Sequence, residues 1–462
     1  MNRQFARLRC AAWSVGVMAL SMLSAHTVVH ALPAQAALDQ QRDAKTPPPP
    51  APGENPALDS ARAIRGERLQ ISLLTYGATN VLWERFGHDA LAIRDTVTGQ
   101  DYAYNWGMFD FNAPNFATRF LTGETHYWMT PYPTGPYNQS NYIDDNRSIR
   151  MQRLALTAVE RGALLDFVMW NSQEPNKFYR YDYYQDNCAT RVRDAIDRVL
   201  KGRLKTALDT SKTALTWRSE TERVTASDFF VYPGIELALG RNADNALTPW
   251  QASFMPERLA DALTTVILKN EAGQRYRLTA TDSVIFASTR VPMPIDPPDR
   301  LAMAALLGLT LAGIVALLAD SRFAVLRGLL VAFATLWYLV GGILGTALLL
   351  AGTATKHAPY MGANTTLWQI HPLLLFAALF VPIALYRRQT TQIPRILVSI
   401  IALFAVFGLL LQLVPMFSQS SGVVLAVTVP VHIALAVALW RTTVVNPPLR
   451  RVAAAAAAAR AA

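Results

Sequence analysis

Cys188 follows Asp186 and Asn187 and precedes apolar residues at helical spacing, Ala189, Val192, Ile196 and Val199. Asp and Asn are favoured helix N-caps, so the pattern puts the thiol in the first turn of a helix. The positive end of the helix dipole favours thiolate there, and a thiolate attacks acyl carbons. Cys188 shares a helix face with Val192, Ala195 and Val199, so its sulfur faces whatever the helix packs on. The same placement suits a small buried hydrophobe, the common fate of a free cysteine. Asp186 and Asn187 are candidate supporting residues in either case.

A cysteine nucleophile needs a base, and a third group to orient that base. Residues 66–300 offer only His88 and His126. His88, in Phe86-Gly-His-Asp-Ala90, begins a strand beside a glycine that permits close approach. His126 sits in an aromatic segment that equally suits core or surface. Asn105 is the candidate orienter, although a lone Asn also fits a strand edge or turn. There is no metal-ligand spacing, phosphate loop or dinucleotide fingerprint, so no cofactor and no metal are expected.

The elements that would position these groups can be read from periodicity. Leu69, Ile71 and Leu73 alternate as a strand ending at Tyr76-Gly77, and His88 to Arg94 forms a second. Tyr102, Tyr104 and Trp106 alternate in a third strand. A two-residue turn at Thr98-Gly99 would set Ala92 opposite Asn105, on the sheet face of His88 but some residues away from it. Residues 79–87 read as a turn or short helix, 113–123 as helical or irregular, and His126–Met129 as a short strand. Ile149 to Leu156 alternates as a strand. Thr157 and Glu160 form a capping box that opens a helix to about Asn171. Phe229 to Leu239 reads as sheet and loop, 258–268 as helix and 275–287 as strands.

The charge is lopsided. Of a net +10, residues after Arg300 contribute ten Lys or Arg against Asp320 alone, so the basic balance belongs to one half and requires no nucleic-acid partner. Arg3, Arg7 and Arg9 precede an apolar run, and Ala34-Gln-Ala36 offers a cleavage site, which predicts a secretory signal over 1–36. Cys10 lies before that run; signal removal would leave Cys188 as an odd thiol in an exported protein. Residues 37–65 read as a Pro/Ala-rich linker. Apolar runs at about 301–318, 326–350, 367–386, 396–414 and 421–440 each suffice to cross a bilayer. The second contains Gly341, Gly342 and Gly345, so it is expected to tilt or kink. Arginines in the loops at 319–327 and 387–395 and in the tail put those segments in the cytoplasm, and residues 66–297 outside.

The runs Phe86-Gly-His-Asp-Ala90, Tyr104-Asn-Trp-Gly-Met-Phe-Asp-Phe111, Phe116 to Gly123 and Tyr181 to Asp194 together resemble the periplasmic domain of bacterial lipoprotein intramolecular transacylases of the Lnb type. The segment from Leu237 to Arg258 extends the likeness. That family is similar to permuted papain-like thiol enzymes, including lecithin:retinol acyltransferase, in which the histidine strand precedes the cysteine helix. The resemblance implies Cys188 as nucleophile, His88 as base, and a lipid or lipoprotein acyl ester as substrate. It also implies a membrane half in which His357, Asn364, Trp368 and His371 sit on or beside an outward loop; interfacial anchoring explains Trp368 and His371 equally well. The expected architecture is α+β: a papain-like domain at 66–297, five spans at 298–442 and a basic tail at 443–462. The bilayer is the expected partner, and the bacterial inner membrane the expected location. An envelope amidase, peptidase or lipase using the same pair, or a non-enzymatic membrane protein with Cys188 merely buried, are the competing readings.

Overall fold

The computed structural model describes residues 45–270 and 272–445. The expected signal at 1–36, Cys10 and most of the basic tail lie outside the described residues. Seven strands form one antiparallel sheet in the order β6-β4-β3-β2-β1-β5-β7. They are β1 (Leu69–Tyr76), β2 (His88–Asp95), β3 (Asp101–Met108), β4 (His126–Pro133), β5 (Ile149–Leu154), β6 (Phe178–Arg180) and β7 (Thr279–Phe286). The helices that matter to the site are α1 (Pro56–Gly66), α2 (Phe116–Thr122), α3 (Ala158–Asn171), α4 (Cys188–Val199), α5 (Val231–Ala238) and α6 (Pro256–Thr265).

Both faces of the central strands are covered, so every residue of β1 except Gln70 is buried although its sequence alternates. Leu69, Ile71, Leu73, Leu91, Ile93, Tyr104 and Trp106 face the main core, packed with Leu164 and Val168 of α3, Val192, Ile196 and Val199 of α4, and Leu259 and Leu263 of α6. Truncating one of these leucines to Ala should cost about 2–5 kcal/mol. Leu74, Tyr76, Ala90, Ala92 and Ala103 face the other way into a smaller cluster with Ile149 and Tyr142. The Thr157–Glu160 capping box opens α3 as read, and of the two N-cap candidates Asn187 caps α4, in a second capping box with Thr190.

Four expectations are corrected. First, the linker over 37–65 contains α1. Asn55 caps it and Pro56 fills its first position, where a missing N–H costs nothing. Arg62 is fully buried and donates to Asp166 at 2.8 Å, Asp59 at 3.0 Å and the Pro50 carbonyl at 2.8 Å. A Cβ on Gly162 would fall 2.5 Å from the Arg62 carbonyl oxygen, so α1 seats on α3 through small residues and an ion-paired arginine. No apolar stripe advertised it. Second, the β2–β3 turn holds four residues inside the Asp95–Gln100 backbone pair: the Asp95 carboxylate accepts from Val97 and Thr98 N–H, and Gly99 takes φ +74°. Asn105 therefore pairs with Ala90 instead of Ala92, two residues nearer His88 and still on its face. Third, Phe229 to Leu239 carries a helix, α5, begun by Asp228 Oδ1 accepting from Phe230 and Val231 N–H. Pro233 lies within its first turn, where proline is tolerated.

The fourth correction concerns the membrane-type helices. Five helices are long and apolar enough to cross a membrane: Leu301–Asp320, Ala324–Ala354, Thr365–Arg387, Gln392–Leu411 and Gly422–Thr442. The second is a single 31-residue helix. A Cβ on Gly342 would lie 2.7 Å from the Leu375 nitrogen, and one on Gly345 2.5 Å from the His371 nitrogen. These glycines admit the third span to close backbone contact and do not interrupt their own helix. At 1.5 Å per residue the helix is roughly 46 Å long, against a hydrocarbon core of about 30 Å.

Candidate active site

Cys188 is the first residue of α4 and keeps part of its surface accessible. Asn187 Oδ1 accepts from the Thr190 N–H at 3.0 Å, and Asn187 Nδ2 donates to the carbonyls of Phe254 at 2.9 Å and Tyr183 at 3.0 Å. Asn187 is thus a cap that also anchors the preceding loop. Asp186 forms a two-point ion pair with Arg191, and its backbone bridges Asp182. The backbone N–H groups of Asp89, of Ala189 and of Cys188 itself favour the ionised form of the sulfur. Gly107, at the β3 bulge with φ +96°, lies against the Cys188 Cβ.

His88 opens β2, and its Nε2 stands 3.1 Å from Asn105 Oδ1. Asn105 is buried, and its Nδ2 donates to the Ala103 carbonyl at 2.9 Å, which aims Oδ1 at the ring. His88 Nε2 must then carry the proton, leaving Nδ1 as the basic nitrogen. Tyr76 and Tyr142 stack alongside the imidazole at 6.0 and 6.2 Å, and the Arg147 guanidinium sits 4.5 Å over the Tyr142 ring. Burial, followed by the Arg147 charge, pushes His88 down to about 4 despite the Asn105 hydrogen bond. Burial, followed by the Asp89 charge, pushes Cys188 up to about 12, against the three backbone N–H groups. The helix start does not produce a resting thiolate: desolvation outweighs the dipole, and both groups rest neutral.

Sequence reasoning passed over Asp89. Its carboxyl is fully buried, accepts from Thr75 Oγ1 at 2.8 Å through Oδ1, and leaves Oδ2 without a partner. Burial raises it well above the usual carboxylate range. Nothing in the run Gly-His-Asp-Ala signals this, because strand alternation alone does not tell a buried acid from an exposed one.

The other candidates separate into two groups. His126 is exposed at the start of β4, opposite Arg180. His357 Nε2 donates to the Phe120 carbonyl at 3.0 Å, so its Nδ1 accepts from Tyr183 OH at 3.4 Å. Asn364 Nδ2 donates to the Leu237 carbonyl at 2.8 Å, and its Oδ1 accepts from Thr366 and Gln419. Trp368 packs edge-on against Phe404 and Phe407. His371 is buried with neither ring nitrogen hydrogen-bonded. His357 and Asn364 therefore clamp the membrane half to the sheet domain, whereas Trp368 and His371 lie inside the helical bundle. A further clamp was not foreseen: Tyr360 OH donates to Asp182 Oδ1 at 2.8 Å, six residues before the cysteine. Among the described residues no group of three or more His, Cys, Asp or Glu could hold a metal ion.

Comparison with known proteins agrees with this anatomy. Residues 58–223 match the family model described as Lnb N-terminal periplasmic domain, a segment that includes most of α1 as well as Cys188, His88 and Asn105. No curated protein and no solved structure matches the chain. Residues 58–223 are thus similar to the Lnb N-terminal periplasmic domain, and the chain continues into five helices of membrane-spanning length.

Proposed function

We propose that the protein is a membrane-bound cysteine acyltransferase that moves an acyl chain from a lipid or lipoprotein ester through a thioester on Cys188. The observation that carries the reading is the sulfur at a capped helix start, together with His88 held by Asn105 on the strand whose Asp89 N–H favours the ionised sulfur. In this reading His88 Nδ1 takes the thiol proton as sulfur attacks the ester carbonyl. The N–H groups of Cys188, Ala189 and Asp89 hold the developing oxyanion. The C–O bond breaks, and the alcohol leaves with the proton from His88. An amine, such as a lipoprotein N-terminus, then attacks the thioester and releases the thiol. Asn105 keeps the imidazole in the required tautomer. The order of histidine strand before cysteine helix is that of permuted papain-like enzymes, and the fold is taken as related to them.

The surroundings suit an apolar substrate. Phe109, Phe111, Phe116 and Phe120 stack in sequence from the Gly107 bulge beside Cys188 to α2, with Trp83 edge-on to Phe111. Phe111, Phe120 and Trp83 are each more than half exposed. The Phe120 carbonyl meets His357, and the Thr122 carbonyl accepts from Lys356 N–H, so the aromatic ridge ends where the second span arrives. An acyl chain leaving the bilayer would find a continuous apolar track to the thiol. The arginine bias of the loops supports a domain on the periplasmic face of the inner membrane.

The test uses full-length protein in detergent with a diacylglyceryl lipopeptide. Mass spectrometry should find an acyl group on the Cys188 peptide, and Cys188→Ala should lose transfer at normal abundance. Undiminished transfer by Cys188→Ala would end the thiol reading.

A further inference from the structure

One residue before the β2 glycine–histidine pair, Phe86 separates Gly87 from Arg85, a buried arginine with unused donors. Arg85 is 7 % exposed, yet only its Nη2 has partners: the Asn80 carbonyl at 3.2 Å and Asp228 Oδ2 at 3.0 Å. Its Nε and Nη1 are buried with nothing accepting from them. Arg85 lines a cavity of about 160 Å³ whose wall also includes Thr75, Gly87, Arg150 and Glu257. Arg150 is committed to Asp261 and Asp282, and Glu257 to Arg223, so Arg85 is the charged wall residue with donors left over. Charged donors buried without acceptors are costly, and the oxyanions a guanidinium prefers are carboxylate and phosphate.

The location favours phosphate. Asp228, the carboxylate that shares Arg85, is followed by Phe229 and Phe230, which are 82 % and 81 % exposed. The chain then enters α5, whose Leu237 carbonyl is held by Asn364 of the membrane half. Arg300, the residue before the first span, donates to the Ala226 carbonyl and lies 4.0 Å over the Tyr232 ring. The loop that partners Arg85 therefore stands at the level where the spans begin, and its two bare aromatic rings suit the headgroup layer. The oxyanion found in that layer is the phosphodiester of phospholipids.

We infer that the Arg85 cavity binds a phosphoryl group, supplied by a phospholipid head or by free phosphate. A headgroup held here lies one wall residue, Gly87, from His88, and Thr75 in the same wall bonds Asp89, whose N–H favours the ionised sulfur. Phosphoryl binding stands apart from the thiol chemistry; that the bound lipid is the acyl donor rests on the acyltransferase reading.

The experiment uses full-length Cys188→Ala protein in detergent, which binds without turning over. Native mass spectrometry compares retention of dioleoyl phosphatidylglycerol and of uncharged dioleoylglycerol, and a thermal-shift titration with inorganic phosphate runs beside it. The phospholipid should be retained roughly tenfold better than the diacylglycerol, the scale of one charged hydrogen bond, and Arg85→Gln should erase the difference. Asp228→Asn removes the competing carboxylate and should strengthen binding several-fold. A purely structural ion pair would make both variants weaker. Arg85-dependent binding of phosphate without a lipid preference supports the site and assigns it to a soluble anion; a lipid preference assigns it to a headgroup. Binding of both probes unchanged in Arg85→Gln, or lowered alike in Arg85→Gln and Asp228→Asn, overturns the inference and leaves the thiol reading standing. Acyl transfer by Cys188→Ala would sink the thiol reading and leave phosphoryl binding untouched.

Discussion

Iodoacetamide labelling of Cys188 should climb about tenfold per pH unit from pH 6 to pH 10 with no plateau, because thiolate is the reacting species and is scarce throughout that range. With the thiol pushed up to about 12, roughly one sulfur in 10⁵ is ionised at pH 7, against roughly 3 % for a free cysteine. The more basic thiolate is intrinsically the better nucleophile, by roughly 40-fold at a Brønsted slope of about 0.45. Together these leave Cys188 on the order of 10²-fold slower than free cysteine at neutral pH. Peptide mass spectrometry of the full-length protein reads the rate and separates Cys188 from Cys10. Asp89→Asn supplies the second arm. Burial keeps the Asp89 carboxyl protonated well above the usual range, and once ionised its charge opposes the thiolate. The variant should therefore label like wild type at pH 6 and faster at alkaline pH. A plateau with a midpoint below pH 7 would mean a resting thiolate–imidazolium pair and would refute the neutral-pair reasoning. Identical profiles for Asp89→Asn and wild type would remove Asp89 from the account.

Four further outcomes follow from the geometry. Because His88 is held near 4, acyl transfer should persist at pH 5–6 and be lost as pH falls through about 4, where the base takes up a proton; Asn105→Ala should lower kcat by about 10–10²-fold, the lower range for a mispositioned general base, with KM little changed. Asn187→Ala loses a helix cap and leaves the Tyr183 and Phe254 carbonyls without their donor, costing about 2–4 kcal/mol by thermal melting, of which Asn187→Ser should recover only about 1 kcal/mol, the cap. Tyr360→Phe removes the hydroxyl bound to Asp182 and should speed hydrogen exchange in residues 181–187 while leaving α3 unchanged; equal protection would mean that the clamp is not needed to order the cysteine loop.

Local signals carried far in this chain, and the misses share a cause. The capping box at Thr157 and the N-cap before Cys188 were legible because a cap involves residues within one turn of each other. The five apolar helices were legible because a bilayer imposes length on sequence. The hairpin register was not, since it depends on the Asp95 side chain bonding to its own loop and lengthening it by two residues. Helix α1 escaped notice because a buried arginine and facing glycines, with no apolar stripe, seat it on α3. In the second span glycine marks where the third span's backbone comes close, information that belongs to a partner helix. The site divides the same way. Cys188, His88 and Asn105 could be picked out by residue type and order, whereas Asp89, Arg85 and Tyr360 owe their importance to burial and to partners more than 10 residues away in sequence.

That last distinction bears on where the catalytic unit ends. The family match stops at residue 223, yet the cysteine loop is held from beyond it. Phe254 accepts from the Asn187 cap, and Tyr184 in the same loop packs against Phe254, Trp217 and Tyr360. Tyr360 and His357 reach in from the loop after the second span, a helix roughly 16 Å longer than a hydrocarbon core requires. Asn364 and Gln419 then tie the outer ends of the remaining spans to α5 and the residue after it. A thiol enzyme acting on soluble peptides has no use for such bracing, since its substrate comes to it through water. On the acyltransferase reading, bracing the cysteine loop on the membrane bundle would set how far an ester has to be lifted along the Phe120–Phe109 ridge to reach Cys188.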